Sequence, residues 1–86
     1  MKYTIQMSKA ASKALAEINA RDRQRIYDKI LTLGDNPRPP GCKSMAGSYA
    51  GNLRIKVGNF RVIYKVEDSR LLVLIVDLGD RKDIYR

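Results

Sequence analysis

The sequence predicts an α+β protein with one domain, residues 1–86, in which a two-helix hairpin packs on a small, mostly antiparallel sheet of four strands. Three patterns predict this class: a short alternating segment at the start, two helical apolar stripes after it, and three apolar segments separated by short turns in the second half. The expected order is β-α-α-β-β-β, followed by a short C-terminal helical turn. A chain of 86 residues has room for one small core.

The first elements are a short strand and two helices. Tyr3, Ile5 and Met7 alternate with polar residues, which is the period of two of a half-buried strand. Ser8 stands at the N-cap position of the first helix. Each helix has one apolar stripe at helical spacing. The first helix carries Ala11, Ala14, Leu15 and Ile18, and the second carries Ile26, Tyr27, Ile30 and Leu33. Asn19 and Ala20 interrupt the pattern between them, and we expect Gly34 to close the second helix in the left-handed conformation.

A loop and three strands complete the fold. Residues 35–51 hold all three prolines and three glycines, so this segment is predicted to be a crossing loop, with Met45 as its buried anchor. Strands are predicted over residues 52–57, 60–66 and 71–78, separated by short turns. The last strand is apolar on both faces and therefore belongs in the interior of the sheet. The predicted core residues are Leu15, Ile30, Val62 and Val73.

Composition excludes several classes of site. Histidine is absent and Cys42 is the only cysteine. An intrachain disulfide, the Cys/His and Ser/His nucleophile pairs and the usual transition-metal sites are therefore excluded, and we expect no metal and no cofactor. Chemistry would have to use Lys, Arg, Tyr or carboxylates. No segment approaches the roughly 18 apolar residues of a membrane-spanning helix or the apolar part of a signal peptide, so a cytoplasmic protein without a membrane partner is expected.

The charge pattern indicates an anionic partner. The formal net charge is +8 and the pI is about 9.9, which favours binding to nucleic acid or to an acidic protein. If Gly58 and Asn59 form a two-residue loop, Lys56 lies directly opposite Arg61 on the next strand. Like charges in that position destabilise a sheet by a few tenths of a kcal/mol, and an anionic ligand would explain why they are there. There are two alternatives to an anionic partner. The long cationic side chains cover a solvated face of the sheet, or the net charge serves solubility.

The second half of the chain resembles a known family of toxins. Residues 52–66 read NLRIKVGNFRVIYKV and residues 71–86 read LLVLIVDLGDRKDIYR. These segments are similar to the RelE type of the RelE/ParE toxin superfamily, with its L-R-I-K strand, its G-N-F-R-V-I-Y strand and its terminal G-x-R-K-D-x-Y-R segment. The K-x-M-x-G motif of residues 43–47 and the order of elements extend the resemblance over the whole chain, more specifically in the second half than in the first.

The resemblance implies a toxin of a type II toxin–antitoxin module that enters the ribosomal A site and cleaves mRNA without a metal ion, by attack of a ribose 2′-hydroxyl on the adjacent phosphate. Partners implied in this way are a cognate antitoxin protein, the ribosome with its rRNA, and mRNA. The catalytic residues carried over by position are Lys56, Arg61, Arg81 and Tyr85. Further residues expected to contact RNA are Arg54, Lys65, Lys82 and Arg86.

The resemblance implies different roles for the individual catalytic and RNA-binding residues. Arg61 and Arg81 would hold the scissile phosphate and stabilise charge in the transition state. Lys56 would assist removal of the 2′-hydroxyl proton, and Tyr85 would stack on a nucleobase or take part in proton transfer. Arg54 stands where the best-known pattern has lysine, and an arginine does not deprotonate in proteins, so it suits phosphate binding. Without the resemblance, the spacing indicates that Arg81 and Tyr85, four positions apart, would share one face of a helical turn near the charged strands. The alternative is that this segment is only a solvated terminal turn.

Two other functions remain open at this point. A ParE-like protein has the same fold and inhibits DNA gyrase by binding, without cutting RNA. Such a protein would not require the catalytic set named above. A module that keeps only antitoxin binding and transcriptional autoregulation is the third possibility.

Overall fold

Two helices and five strands make up the part of the chain that the structure, a computed structural model, describes: residues 2–80, apart from the side chain of Ser48. The helices are α1 (Lys9–Ala16) and α2 (Ala20–Thr32). The strands are β1 (Thr4–Met7), β2 (Lys43–Ser44), β3 (Leu53–Val57), β4 (Phe60–Glu67) and β5 (Leu72–Asp80). Short 3-10 turns occupy Gly47–Tyr49 and Asp68–Arg70. The predicted α+β class is confirmed, although this part of the chain has five strands where four were predicted.

The five strands form a sheet in the order β1-β5-β4-β3-β2. β1 runs parallel to β5, and the other neighbours are antiparallel. β5 therefore lies between β1 and β4, as its apolar sequence predicts, because a strand with neighbours on both sides and buried side chains on both faces gains most from apolar residues. A register shift between Ile63 and Tyr64 leaves Val76 of β5 without a direct partner on β4.

Both helices begin at side-chain caps. The Ser8 hydroxyl accepts a hydrogen bond of 3.0 Å from the Ala11 N–H, which confirms the predicted cap of α1. The side chain of Asn19 accepts one of 3.0 Å from the Asp22 N–H and so caps α2. The residue that the sequence marks as an interruption is therefore the start signal of the second helix, since an N-cap satisfies an N–H group that the helix leaves unpaired.

Gly34 serves a different purpose from the one predicted. The α2 helix ends at Thr32, and Gly34 is not among the glycines with positive φ. A β-carbon on Gly34 would lie 3.2 Å from the carbonyl oxygens of Leu31 and Tyr3, and the Tyr3 N–H donates to the Gly34 carbonyl at 2.7 Å. The glycine is needed because the chain before β1 passes directly against the end of α2.

The proline-rich loop contains more structure than its sequence predicts. Lys43 and Ser44 form β2, which pairs with Arg54 and Leu53 of β3. Two residues are too few to show an alternating pattern, so sequence periodicity does not detect this strand. The predicted anchor, Met45, is only half-buried. The loop is instead anchored by Pro37, which is buried and accepts a hydrogen bond from the Tyr64 hydroxyl.

The core lies between the helices and one face of the sheet. Its fully or nearly fully buried members are Ala11, Ile26, Ile30, Leu33, Ile55, Val62, Tyr64, Val73, Ile75 and Leu78. Three of the four predicted core residues are among them, and Leu15 is half-buried and packs against this cluster. Tyr27 was wrongly assigned to the buried stripe: it is 44% exposed, because its neighbour Ile26 takes the inward direction and successive helix residues point about 100° apart.

Candidate functional site

The β3–β4 hairpin fixes the position of the predicted cation pair. Val57 pairs with Phe60 and Lys56 pairs directly with Arg61, so the two-residue loop predicted from the sequence is confirmed. Gly58 has φ of +61°, the left-handed conformation that a type II′ turn needs at its first central residue. Directly opposed residues in an antiparallel pair point to the same face of the sheet, with β-carbons about 5 Å apart. Lys56 and Arg61 are therefore neighbours on the face that points away from the helices.

A second pair of like charges lies beside the first. Lys43 on β2 pairs directly with Arg54 on β3. Arg54 and Lys56 are two residues apart on one strand, so both point to the same face as their partners. The cations follow a diagonal across three strands, from Lys43 through Arg54 and Lys56 to Arg61. Lys43 is the residue that sequence reasoning missed, because only the pairing of β2 places it here.

A pocket of about 220 Å³ lies along this diagonal. It is lined by Gly41, Lys43, Arg54, Ile55, Lys56 and Arg61. Four of these six residues carry a positive charge, and no lining residue within the described part of the chain is acidic. Two guanidinium groups and two ammonium groups around one space suit the oxygens of a phosphodiester, since arginine presents parallel donors and lysine a compact charge. The arrangement therefore offers the donors and the positive charge that an anionic group requires.

A larger pocket elsewhere does not share this character. It measures about 490 Å³ and lies between the start of β1 and the end of α2. Its charged lining residues are Lys2 and Asp35, whose side chains form an exposed ion pair at 4.0 Å. Because these two charges cancel, the smaller pocket on the open face of the sheet is the better candidate for an anion site.

The hairpin turn beside the site is supported from the helical side. A β-carbon on Gly58 would lie 3.3 Å from the guanidinium of Arg25 on α2. Arg25 in turn forms an ion pair with Asp22 at 3.6 Å. The guanidinium thus lies against the backbone of the turn that joins β3 to β4. A side chain at position 58 would be strained by the positive φ and would require a small shift of this guanidinium.

The proline-rich loop that carries Lys43 is held by two contacts. The buried Tyr64 hydroxyl donates to the Pro37 carbonyl at 2.7 Å, and burial raises the pKa of Tyr64. Arg38 binds Asp68 through two hydrogen bonds, of 3.1 and 2.9 Å, and the Tyr3 hydroxyl donates to the same carboxylate at 2.6 Å. The hydrogen bonds from Arg38 and Tyr3 lower the pKa of Asp68 to about 2. The loop is therefore fixed both to the core and to the turn before β5.

An acidic residue on the open face is occupied by other contacts. Asp77 on β5 lies opposite Ile63, which lies opposite Arg54 on the next strand. One Asp77 carboxylate oxygen accepts from the Leu78 N–H at 2.8 Å, and the other accepts from the Tyr49 hydroxyl at 3.4 Å. Burial, with the charge of Asp77 as a smaller cause, raises the pKa of Tyr49. These contacts hold the carboxylate on the β5 side of Ile63.

The remaining predicted site residues are placed as follows. Lys65 is exposed and points to the same face as Arg61, but it lies opposite Leu74 and does not line the pocket. Lys65 lies four residues from Arg61 along β4, a distance of about 13 Å. The structure therefore brings together Arg54, Lys56 and Arg61 and leaves Lys65 at a distance. Four predicted residues lie outside the described residues: Arg81, Lys82, Tyr85 and Arg86.

Residues 2–80 offer neither a metal site nor a membrane-spanning helix. Within this range no group of three or more His, Cys, Asp or Glu side chains is placed to hold a metal ion. In the same range no helix is long and apolar enough to cross a membrane.

Comparison with known proteins identifies the family. Residues 5–85 match the family model described as the ParE toxin of the type II toxin–antitoxin system parDE. The chain belongs to the RelE/ParE toxin superfamily. It is a toxin of a toxin–antitoxin system of this type, and the resemblance seen in the second half of the sequence is confirmed over nearly the whole chain.

Individual members of the superfamily are similar over their full length. Toxin RelG of Mycobacterium tuberculosis is 27% identical over 88 residues, which cover 100% of this chain and 99% of RelG. The mRNA interferase toxin RelE of Escherichia coli is 20% identical over 87 residues, covering 99% of this chain and 92% of RelE. The archaeal RelE–RelB complex from Pyrococcus horikoshii superposes with a TM-score of 0.81 at 25% identity, over 96% of this chain and 99% of the other.

Proposed function

We propose that this toxin is a ribosome-dependent endoribonuclease that cuts mRNA in the A site. The observation that carries the proposal is the pocket on the open face, where Lys56 and Arg61 lie directly opposite each other and Lys43 and Arg54 complete a wall of four cations. Like-charged cross-strand pairs destabilise the folded protein. A phosphodiester bound beside these pairs would be attracted by cations of both strands at once, which supports an RNA backbone as the ligand.

The proposed reaction uses the substrate as its own nucleophile. The ribose 2′-oxygen attacks the adjacent phosphorus while the bond from phosphorus to the 5′-oxygen breaks, which leaves a 2′,3′-cyclic phosphate and a 5′-hydroxyl. The proton lost from the 2′-hydroxyl and the proton gained by the 5′-oxygen balance. This course needs charge stabilisation and proton transfer, and it needs no protein nucleophile. It therefore suits a chain that has no histidine and whose cations border the pocket.

Within this mechanism each side chain has a separate part. Arg61 would bind the non-bridging oxygens of the scissile phosphate, with two parallel donors that strengthen as charge develops in the transition state. Lys56 would lie beside the attacking 2′-hydroxyl and assist removal of its proton, and Arg54 would bind phosphate. Arg81 and Tyr85, which lie outside the described residues, would complete the set as the superfamily resemblance implies.

A cognate antitoxin is the proposed protein partner. The archaeal relative of similar fold was solved as a RelE–RelB complex. An acidic or amphipathic antitoxin segment that covers the cationic face would neutralise both like-charged pairs, and the net charge of +8 would accelerate its association. The toxin would act in the cytoplasm, where ribosomes and mRNA are found.

Toeprinting on a translated mRNA tests the proposal. The purified chain should produce cuts inside A-site codons when ribosomes are present and none on naked message. Arg61→Ala should lower the cleavage rate by about 10²–10³, the usual loss when one donor to a developing oxyanion is removed. Lys9→Ala is the matched control, since Lys9 is an exposed cation at the first position of α1, and α1 packs on the opposite face of the sheet. An intact message with the wild-type chain would refute the proposal.

A ParE-like inhibitor of DNA gyrase is the second candidate, because the family model that matches the chain is named for the ParE toxin. That function predicts loss of gyrase supercoiling activity in the presence of the chain, without any cut in mRNA. A supercoiling assay with the same wild-type, Arg61→Ala and Lys9→Ala proteins separates the two. Inhibition of gyrase that is insensitive to Arg61→Ala, together with an intact message, would favour the ParE-like function.

A further inference from the structure

Lys43 borders the pocket at the end opposite to Arg61. It is two strands away from Arg61 and offset by two residues along the sheet, which corresponds to a separation of about 12 Å between α-carbons. A phosphate held between Lys56 and Arg61 would thus lie at one end of the diagonal. Lys43 and Arg54 would face the chain of phosphates that continues from it.

The position of Lys43 is held by the backbone on both sides. Gly41, with φ of +93°, turns the chain into β2, and the Cys42 N–H donates to the Pro39 carbonyl at 3.1 Å. On the other side the Met45 N–H donates to the Asn52 carbonyl at 3.0 Å. An exposed lysine on so short a strand is therefore presented from a fixed backbone, which reduces the entropy lost when it binds.

The charge of Lys43 opposes the pairing that places it there. It lies directly opposite Arg54, and like charges at this distance weaken the pairing of a two-residue strand. A lysine on an edge strand also discourages pairing with other chains, and that role alone would account for its charge. It would not account for the pocket, which Lys43 lines together with three other cations.

We propose that Lys43 binds the phosphate that neighbours the scissile phosphate on the RNA strand, and that it contributes to substrate binding and not to the chemical step. This inference rests on the proposed endonuclease function. It deepens that function by extending the contact from one phosphate to two. Lys43 is a binding residue in this account, and Arg61 is the residue that contacts the reacting group.

A binding measurement tests the contact without any cleavage. The probe is a fluorescent RNA of about ten nucleotides, within the usual length bound by one small domain, with every 2′-hydroxyl methylated so that attack is blocked. Each phosphate contact contributes about 0.7 to the slope of log Kobs against log salt concentration for single strands. Lys43→Ala should lower the magnitude of this slope by about 0.7, and Lys43→Arg should restore it. Lys9→Ala, which removes the same charge from the other face, should leave the slope unchanged.

A kinetic measurement separates binding from chemistry. With mRNA on programmed ribosomes, Lys43→Ala should raise KM several-fold with kcat unchanged, whereas Arg61→Ala should lower kcat. Lys43→Gln, which keeps a polar side chain at the sheet edge, guards against a folding defect in Lys43→Ala, and its Tm should be no lower than that of the wild type, since it also removes the charge opposite Arg54.

Two results would overturn the inference. One is a salt slope for Lys43→Ala and Lys43→Gln that equals that of Lys9→Ala, which would leave edge protection as the role of this lysine. The other is a loss of kcat without a change in KM, which would place Lys43 in the chemical step. If the wild-type chain cuts no message at all, the proposed function fails, while the salt slope on the methylated RNA still decides whether Lys43 contacts a phosphate.

Discussion

Removing the charge of Lys56 should make the protein more stable and less active at the same time. Lys56 is exposed and lies directly opposite Arg61, so two cations face each other across the hairpin. Lys56→Met removes the charge and keeps an unbranched side chain of similar length. The variant relieves the repulsion without opening a cavity.

The size of the effect follows from the register. With the charged ends about 7 Å apart in water, the repulsion is about 0.6 kcal/mol. Screening at about 0.15 M salt, where the Debye length is about 8 Å, reduces this to roughly 0.2–0.3 kcal/mol. For a domain of this size, 1 kcal/mol shifts Tm by about 4–8 °C, so Lys56→Met should raise Tm by roughly 1–2 °C at physiological salt and by up to about 5 °C at low salt.

Thermal unfolding followed by circular dichroism at low and at physiological salt measures this difference. Lys65→Met is the control for stability, because Lys65 points to the same face and lies opposite Leu74, so its loss removes an equal charge without relieving a direct pair. The same Lys56→Met protein should be defective in the toeprint assay. A Tm for Lys56→Met that does not exceed that of Lys65→Met at low salt would refute the argument that the pair is a cost tolerated for ligand binding.

Three further predictions concern the scaffold that positions the site. Tyr64→Phe should destabilise the protein by about 1–3 kcal/mol in urea unfolding, because it leaves the buried carbonyl of Pro37 without its 2.7 Å hydrogen bond. Gly34→Ala should cost about 1–3 kcal/mol by the same measurement, since the new β-carbon meets two backbone oxygens at 3.2 Å. Asp68→Asn should lower Tm at neutral pH, because it removes the carboxylate that Arg38 binds and whose pKa is lowered to about 2. A depressed pKa contributes stability above the usual value of 3.8, so the difference from wild type should shrink as the pH falls from about 4 towards 2.

One result would contradict each of the three scaffold predictions. The Tyr64→Phe prediction is contradicted by an unfolding midpoint equal to that of the wild type, which would mean that the Pro37 carbonyl finds another donor. For Gly34→Ala it is a gain in stability, as expected where alanine only restricts the unfolded chain. For Asp68→Asn it is a Tm difference that stays constant down to pH 2, which would assign the effect to packing and not to the charge.

The sequence was most informative where one element carries a complete local pattern. The alternation of Tyr3, Ile5 and Met7, the cap at Ser8 and the two-residue turn at Gly58 each depend on interactions between residues close in the chain, and all are present in the structure. The register that sets Lys56 against Arg61 followed from that turn alone, because a two-residue loop fixes which residues face each other.

Where the prediction was wrong, a distant part of the chain was responsible. Gly34 is small because the chain before β1 approaches it, and Tyr27 is exposed because Ile26 and Ile30 are the residues of α2 that belong to the core cluster with the sheet. Neither fact is visible in a local pattern. The loop anchor was misassigned to Met45 for the same reason, since the bond that holds the loop joins Pro37 to a tyrosine 27 positions later.

By itself, then, the sequence determined the α+β class, the start of the first helix, the hairpin and the charge of one face, because each follows from spacing and residue type over a few neighbouring positions. The tertiary structure alone decided that β1 pairs in parallel with β5 and that Lys43 joins Arg54 at the pocket. Both pairings bring together segments separated by intervening elements, and the two residues of β2 are too few to carry a period of their own. The physical reason is that such contacts form only when the whole core is packed, so the fourth cation of the site is specified by the fold and not by any local motif.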